Sequence, residues 1–422
     1  MAPAAGPRAE HGVTSPEIAL APGRLSIVAI CSSYPPVLGG TEVEVQRVCA
    51  ALLERGYRVE VLCRGGAPMP AGRRWVDAEG VPVRMFGGRW PAAIRDYAYA
   101  IGVAWTLWRR RRTYQIAYFV MGGVQLALAL PVARLARKRI FMKFSGSNTV
   151  APLTASALGR FELRALRRWA EQVLVLNPGM MEEAQAAGFP RSQLGWMPNP
   201  VDVDLFAPAG GDLKMELRRR LGVAPDAFLI VYVGRLAPEK QLPLLVEAFA
   251  RVRRACPAAS LALVGDGPRR HELQSLAARL GLEDEVRFAG AVSSSGVREW
   301  LGAADVFALV SSLEGFPCSL SEAMAAGLPS VVSDIPGNTQ LVRDGVHGLV
   351  TRCGEAASIG EALALLAADP EKRRAFGAAA RDLILREYST GIVMDRYERL
   401  FGNQAGAVCS IARKLEEPRA SQ

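Results

Sequence analysis

The sequence predicts an α/β chain of two doubly wound halves that face each other across a cleft. Three observations lead there. Short continuous apolar runs alternate with helical patterns from Leu25 onward, as in parallel sheets covered on both faces. The alternation pauses at a turn-rich segment and restarts at Phe228. The chain has 422 residues, 50% of them hydrophobic, which exceeds what one core usually holds and suffices for two.

In order along the chain, residues 1–24 are rich in Ala, Pro and Gly, carry no apolar run of signal-peptide length, and read as a disordered tail. Leu25–Cys31 is the first strand, followed by a Pro/Gly loop and a helix over Thr41–Arg55. Arg58–Cys63, Gln115–Val120, Arg139–Phe144 and Gln172–Leu176 are further strands of a first unit spanning 25–197. The uncharged run Thr113–Ala133 is long enough to span a bilayer, but Gly122, Gly123, Gln125 and Pro131 interrupt it, so a buried strand followed by a helix is the better reading. Pro198–Pro208 connects the units. The second unit, 209–386, opens its sheet with Phe228–Val233 and an amphipathic helix over Gln241–Ala255. Strands follow at Ser260–Val264, Val286–Phe288, Val306–Val310, Ser330–Ser333 and Gly348–Val350. A last helix lies in 387–403, and 404–422 reads as a second tail.

Net charge is +10, and residues 101–150 alone hold nine basic side chains and no acid. This asymmetry suits an anionic partner such as a membrane surface, a phosphorylated lipid or nucleic acid, or else simply serves solubility. The cysteines at 31, 49, 63, 256, 318, 353 and 409 show no C-x-x-C pair and read as small apolar residues in a reducing cytoplasm.

Ligands of open α/β sheets sit outside the carboxyl ends of strands, so the loops there carry the candidates. Gly234-Arg235-Leu236-Ala237-Pro238-Glu239-Lys240 puts a guanidinium and an ammonium beside a helix amino terminus, a clamp for a diphosphate or else a basic surface loop. Glu314-Gly315-Phe316-Pro317-Cys318-Ser319-Leu320-Ser321-Glu322 offers two carboxylates suited to sugar and ribose hydroxyls. Ser319 and Glu322 also fit a capping box of a helix over Leu320–Ala326. Gly265 and Gly267 in Val264–Pro268, and Gly39-Gly40 before Thr41, allow close approach of backbone to ligand, or form flexible loops. Asp202-Val203-Asp204 has the pattern of a metal-binding D-x-D but lies in the connecting segment, so no metal is expected. His11 lies in the tail, and His271 and His347 read as surface positions. Neither G-x-S-x-G nor a P-loop occurs.

Together these motifs, with Glu322-Ala323-Met324-Ala325-Ala326-Gly327-Leu328-Pro329 and Asp344-Gly345-Val346-His347-Gly348, resemble those of the GT-B-fold retaining glycosyltransferases of family 4 over about Leu25 to Phe401. The resemblance implies two Rossmann-like domains and a UDP- or GDP-linked donor sugar held mainly by the second, without a metal or other cofactor. Arg235 and Lys240 would hold the diphosphate and stabilise the leaving charge. Glu314 would contact sugar hydroxyls, helped by the backbone at Gly315, Phe316 and Pro317. Glu322 would bind the ribose, and Leu320, Gly265, Gly267, Gly39 and Gly40 complete the donor-binding set. A last helix, Ile392–Phe401, would cross back to the first domain and allow cleft closure.

Three positions depart from the family: Gln241 stands where glycine is frequent, Gln340 where glutamate is usual, and Phe144-Ser145-Gly146-Ser147 where a histidine often stands at the cleft, so no acid–base role is assigned to Ser145. The expected activity is cytoplasmic hexosyl transfer to a sugar, lipid-linked or natural-product acceptor in polysaccharide, glycolipid or natural-product biosynthesis, with peripheral contact to an anionic membrane through the basic first domain left open. Two other readings stand beside it: a glycoside hydrolase using Glu314 and Glu322 as its acid pair, and a nonenzymatic anion- or nucleic-acid-binding protein.

Overall fold

The computed structural model describes residues 24–35, 39–65, 74–87, 91–146 and 150–402. The two predicted tails lie outside the described residues except for Arg24, whose guanidinium pairs with Glu398 at 2.8 Å.

The first unit is an eight-stranded sheet: β1 (Ser26–Cys31), β2 (Arg58–Arg64), β3 (Arg74–Val76), β4 (Pro82–Phe86), β5 (Ile116–Val120), β6 (Arg139–Lys143), β7 (Gln172–Val175) and β8 (Leu194–Trp196). Their order is β3-β4-β2-β1-β5-β6-β7-β8, parallel throughout except where β3 runs antiparallel to β4. The second unit is a six-stranded parallel sheet of β9 (Phe228–Val233), β10 (Ala259–Val264), β11 (Val286–Gly290), β12 (Val306–Leu309), β13 (Ser330–Ser333) and β14 (Gly348–Thr351), in the order β11-β10-β9-β12-β13-β14. β1 and β9 are buried along their full length, which is why their sequences are unbroken apolar runs.

This strand order positions the site. In each sheet the first strand lies between one that follows it directly and one that comes much later: β1 between β2 and β5, β9 between β10 and β12. Loops leaving the carboxyl ends at such a switch point diverge and open a crevice. The loops after β9, β10 and β12, which carry the candidate motifs, are therefore neighbours in space.

The chain crosses between the units twice. Val201 of the connecting segment accepts from Thr390 at 3.0 Å and donates to Tyr388 O at 2.9 Å, so the outgoing and returning strands are paired. The final helix, Thr390–Phe401, begins two residues before the predicted start and lies on the first sheet. Its Val393, Met394, Tyr397, Leu400 and Phe401 are fully buried in one core with Ile27, Ala29, Val48, Tyr118 and Phe141. Phe401 meets the rings of Phe141 and Tyr118 edge-on at 5.2 and 6.0 Å. Beneath this helix lies a polar knot. The Lys143 ammonium, completely buried, donates to the buried Glu44 carboxylate, to Asn199 Oδ1 at 3.0 Å and to the Tyr397 hydroxyl at 3.3 Å. The Tyr397 hydroxyl also meets that of Tyr118 at 2.9 Å.

Thr113–Ala133 contains the strand Ile116–Val120 and the start of a helix over Gln125–Leu135, as expected. No helix among the described residues is long and apolar enough to cross a membrane. Cys31, Cys49 and Cys63 are buried, whereas Cys353 is exposed; all six described cysteines are free.

Candidate active site

Glu314 and Lys240 come from two different strand-to-helix loops and meet. Lys240 Nζ lies 2.6 Å from Glu314 Oε1, with both side chains largely shielded from solvent. Ser311 Oγ donates to the same carboxylate oxygen at 2.6 Å. Because β9 pairs directly with β12, the two loops are laced by backbone as well: Ser312 N donates to Glu239 O at 2.8 Å. The pair holds a cation and a carboxylate side by side at the ends of adjacent strands.

Arg235 is placed differently. Its guanidinium pairs with Glu239 of its own loop at 2.9 Å and is 69% exposed. It nonetheless shares a neighbourhood with Glu314. The Tyr232 hydroxyl is pushed well above the ordinary phenol range by burial, then by Glu314 and Glu239, with Arg235 opposing them. Tyr232 donates to Arg235 O at 2.9 Å and so anchors the loop.

The glycines of the neighbouring turn serve the loop itself. A side chain at Gly265 would come within 2.0 Å of Gly234 O, and one at Gly267 within 2.5 Å of Leu236 O. They let the turn after β10 nest against the Arg235 loop, where Leu236 N donates to Asp266 O at 2.9 Å. Gln241 has left-handed backbone, φ 48° and ψ 34°, just before the helix Leu242–Ala255. A left-handed backbone of this kind favours glycine, and the chain makes the turn with a glutamine at a cost of about 1 kcal/mol.

The Glu314–Glu322 segment differs from expectation at three points. Its helix starts at Cys318, with Pro317 as cap, so Glu322 falls in the second turn and the capping box does not form. Leu320 is fully buried, and the Phe316 ring packs on Tyr388 at 5.6 Å, so these side chains belong to the core and the domain junction. What they can offer a ligand is backbone at a helix amino terminus. Glu322 is already engaged: Arg47, from the helix Gly40–Glu54 of the first unit, reaches across to it at 2.7 Å. Burial raises the Glu322 carboxyl above its usual range, and Arg47 offsets part of that rise.

The first unit closes on this segment elsewhere. Gly40 faces Cys318: a side chain there would lie 3.9 Å from Sγ. Gly39 is the extended cap of the helix carrying Arg47. Asn177 Nδ2 donates across the cleft to Gly315 O at 2.7 Å, and Gln340 Nε2 donates to the same oxygen at 3.0 Å. A glutamate at 340 could not donate in this way, which accounts for the glutamine. A side chain at Gly315 would come within 3.4 Å of Ser145 O and Gly146 Cα. Ser145 therefore does stand at the cleft, its hydroxyl buried with no partner among the described residues; Ser147 lies outside them.

Two decoys resolve. Asp202 Oδ1 accepts from Leu205 N at 2.9 Å in a turn, so the D-x-D pattern is a structural corner. Among the described residues no three His, Cys, Asp or Glu side chains cluster as metal ligands. His347 is buried, not at the surface as predicted, with Nδ1 3.2 Å from Arg343 N, and shapes the turn before β14. Sequence reasoning missed Arg47, Asn177 and Ser311. Arg47 and Glu44 are charged residues three apart on the inward face of an amphipathic helix, a signal that could have marked them.

With Glu314 paired to Lys240 and Glu322 to Arg47, neither carboxylate is set up as the free proton donor that a glycoside hydrolase needs. The pairing instead suits neutral hydroxyls and a diphosphate.

Comparison with known proteins agrees. The family model of glycosyl transferases group 1 matches residues 214–383, and that of glycosyltransferase family 4 matches 38–205. The GDP-mannose-dependent alpha-(1-6)-phosphatidylinositol monomannoside mannosyltransferase of Mycolicibacterium smegmatis is 31% identical over 263 residues, 61% of this chain and 68% of that protein. The D-inositol 3-phosphate glycosyltransferase of Geodermatophilus obscurus is 32% identical over 375 residues, 81% of this chain and 80% of that protein. The crystal structure of Anabaena HepE in complex with UDP superposes with a TM-score of 0.73 at 21% identity, covering 90% of this chain and all of that one.

Proposed function

From the premise that the chain belongs to the group 1, family 4 glycosyltransferases and has their two-domain GT-B fold, we propose that it transfers a hexose from a UDP- or GDP-linked donor to an acceptor hydroxyl, with retention and without a metal. The observation that supports this reading is the Lys240–Glu314 pair at adjacent strand ends.

In this reading Lys240 turns toward the donor diphosphate, and Arg235, whose ion pair among the described residues is an exposed contact to Glu239, swings to join it. The bond from the anomeric carbon to the diphosphate oxygen breaks, and the two cations stabilise the charge left on that oxygen. Glu314 accepts from sugar hydroxyls. The acceptor oxygen bonds to the anomeric carbon, and its proton passes to the departing diphosphate, because Ser145 supplies no base at neutral pH. Glu322 takes the ribose hydroxyls once Arg47 releases it. Backbone N–H groups of Gly315, Phe316 and Cys318, and Gly39-Gly40 opposite, line the diphosphate.

The acceptor is proposed to be a polyol of the cell envelope, a glycolipid or a natural product, reached in the cytoplasm. Two relatives are named for inositol-containing acceptors, and HepE was crystallised with UDP. The test is a thermal-shift panel of UDP- and GDP-sugars on the parent protein, Lys240→Ala and Glu314→Ala. One donor at a hundred times its Kd should stabilise the parent by about 2.7 kcal/mol. Both substitutions should abolish that shift. A flat response to every donor would refute the reading.

A further inference from the structure

The helix Ala92–Arg109 is apolar on two opposite faces. Tyr99, Ala100, Val103 and Leu107 point into the core of the first unit. Ile94, Tyr97, Ile101, Trp105 and Trp108 recur at spacings of three and four on the outer face. Tyr97, Ile101 and Trp105 are 61%, 60% and 62% exposed. The adjoining helix Gln125–Leu135 adds exposed Leu128 and Leu135, seven residues apart on one stripe. A soluble protein rarely shows so long a line of large apolar side chains unless something covers it.

The carboxyl end of that line is strongly basic. Trp105 also borders a cavity of about 470 Å³ whose other walls are Arg74, Arg84, Thr106, Arg109 and Arg110. Glu60 offsets part of this charge, pairing with Arg74 at 3.2 Å and with Arg110. Arg84 and Arg109 have no ion pair among the described residues. Burial and the like charges of Arg74 and Arg109 push the Arg84 guanidinium below its ordinary range, so a bound anion would relieve the crowding. Arg112 and Arg137 are exposed on the connections that enter the next strands, β5 and β6, and Arg134 is exposed in the last turn of the helix before β6. Since β5 and β6 are neighbours, these connections emerge side by side, at the end of the sheet away from the cleft.

We infer that this face is a docking site for an anionic lipid bilayer: the four-arginine cavity takes a lipid phosphate headgroup, while Ile94, Tyr97, Ile101, Trp105 and Trp108 enter the headgroup–acyl boundary. The juxtaposition of the two features at Trp105 carries the assignment. Aromatic and aliphatic side chains on one face with a basic rim are what lying in an interface requires. The chemistry selects anionic lipid over a neutral surface. The inference does not depend on the donor site, and its test reads binding alone.

The experiment is co-sedimentation of the full chain with vesicles of phosphatidylcholine alone or with 30 mol% phosphatidylglycerol, about a physiological content of anionic lipid. The parent should bind the anionic vesicles and leave them when salt is raised from 0.1 to 0.5 M. Arg84→Gln with Arg109→Gln should weaken partitioning about thirtyfold, at about fivefold for each charge. Tyr97→Ser with Trp105→Ser should weaken it as much while leaving the salt dependence in place. All four positions are exposed or line the open cavity, so melting temperatures should match the parent. Equal binding to both vesicle types, no binding to either, or variants that bind like the parent would each overturn the inference. So would complete release by millimolar inorganic phosphate, which would mark a site for the free ion. Dimerisation by light scattering without vesicle binding would assign the face to a second copy instead.

Discussion

Replacing Lys143 by methionine tests the account of how the two halves are joined. The ammonium is wholly buried, and it donates to Glu44, Asn199 and Tyr397 at once. Burial works against its charge, yet Glu44 and Tyr397 outweigh that and raise its pKa. A pKa raised on folding means stability that is present at neutral pH and lost as pH climbs through the folded value. Its contribution is therefore constant across the physiological range and fades only under alkali. Methionine keeps the stem and removes the charge, leaving the Glu44 carboxylate buried and unpaired. Stranding one partner of a buried pair costs about 3–5 kcal/mol. At roughly 2–4 °C per kcal/mol for a domain of this size, the melting temperature should fall by about 6–20 °C. Replacing Glu44 by leucine in the same chain removes the stranded charge and should recover most of the loss. Differential scanning calorimetry of parent, single and double variants at neutral pH reads this directly. A single variant that melts within about 2 °C of the parent, or a double variant no better than the single, would show that the knot is not the fastening described here.

Arg47→Ala should lower basal stability by about 1.5–3 kcal/mol, the worth of a charged hydrogen bond. It should also enlarge the donor-induced thermal shift, because Glu322 no longer has to be released; an unchanged donor shift would mean the two do not compete. Glu162 tests pH dependence. Burial lifts its carboxyl to about 7, and one of its oxygens has no partner among the described residues. Its neutral form is the one the fold favours, so stability is full below the unfolded pKa and declines as pH rises through 7. Glu162→Gln should therefore match the parent in urea melts at pH 4.5 and exceed it at pH 8. Equal midpoints at both pH values would count against the assignment.

The parts of the fold legible in sequence were those whose cause is local. β1, β5, β9 and β12 are buried on both faces, so their residues form unbroken apolar runs. β3, β4 and β8 were not legible. β3 and β8 have three residues each and lie at the two edges of the sheet, where the neighbouring strand and not their own composition makes them strands. The site divides the same way. Lys240 and Glu314 could be paired on paper because both follow apolar strands, and strand order then brings them together. Arg47 lies 275 residues from Glu322, and nothing in either segment names the other. The expected capping box at Ser319 failed for a related reason: Pro317 fixes the chain for a helix start earlier than the apolar pattern shows.

The last helix completes the core of the half that is made first, and this constrains how the chain can be synthesised. Until Thr390–Phe401 leaves the ribosome, Tyr118 and Phe141 lack part of their cover on that side of the sheet. At the usual pace of translation about 200 residues separate the first half from its lid, a wait of roughly 10–40 s. Over that interval a nascent chain presents an open apolar seat beside a buried lysine whose partner Tyr397 has yet to be made. Early termination would leave this seat empty for good, so truncated products should be strong clients of chaperones and proteases.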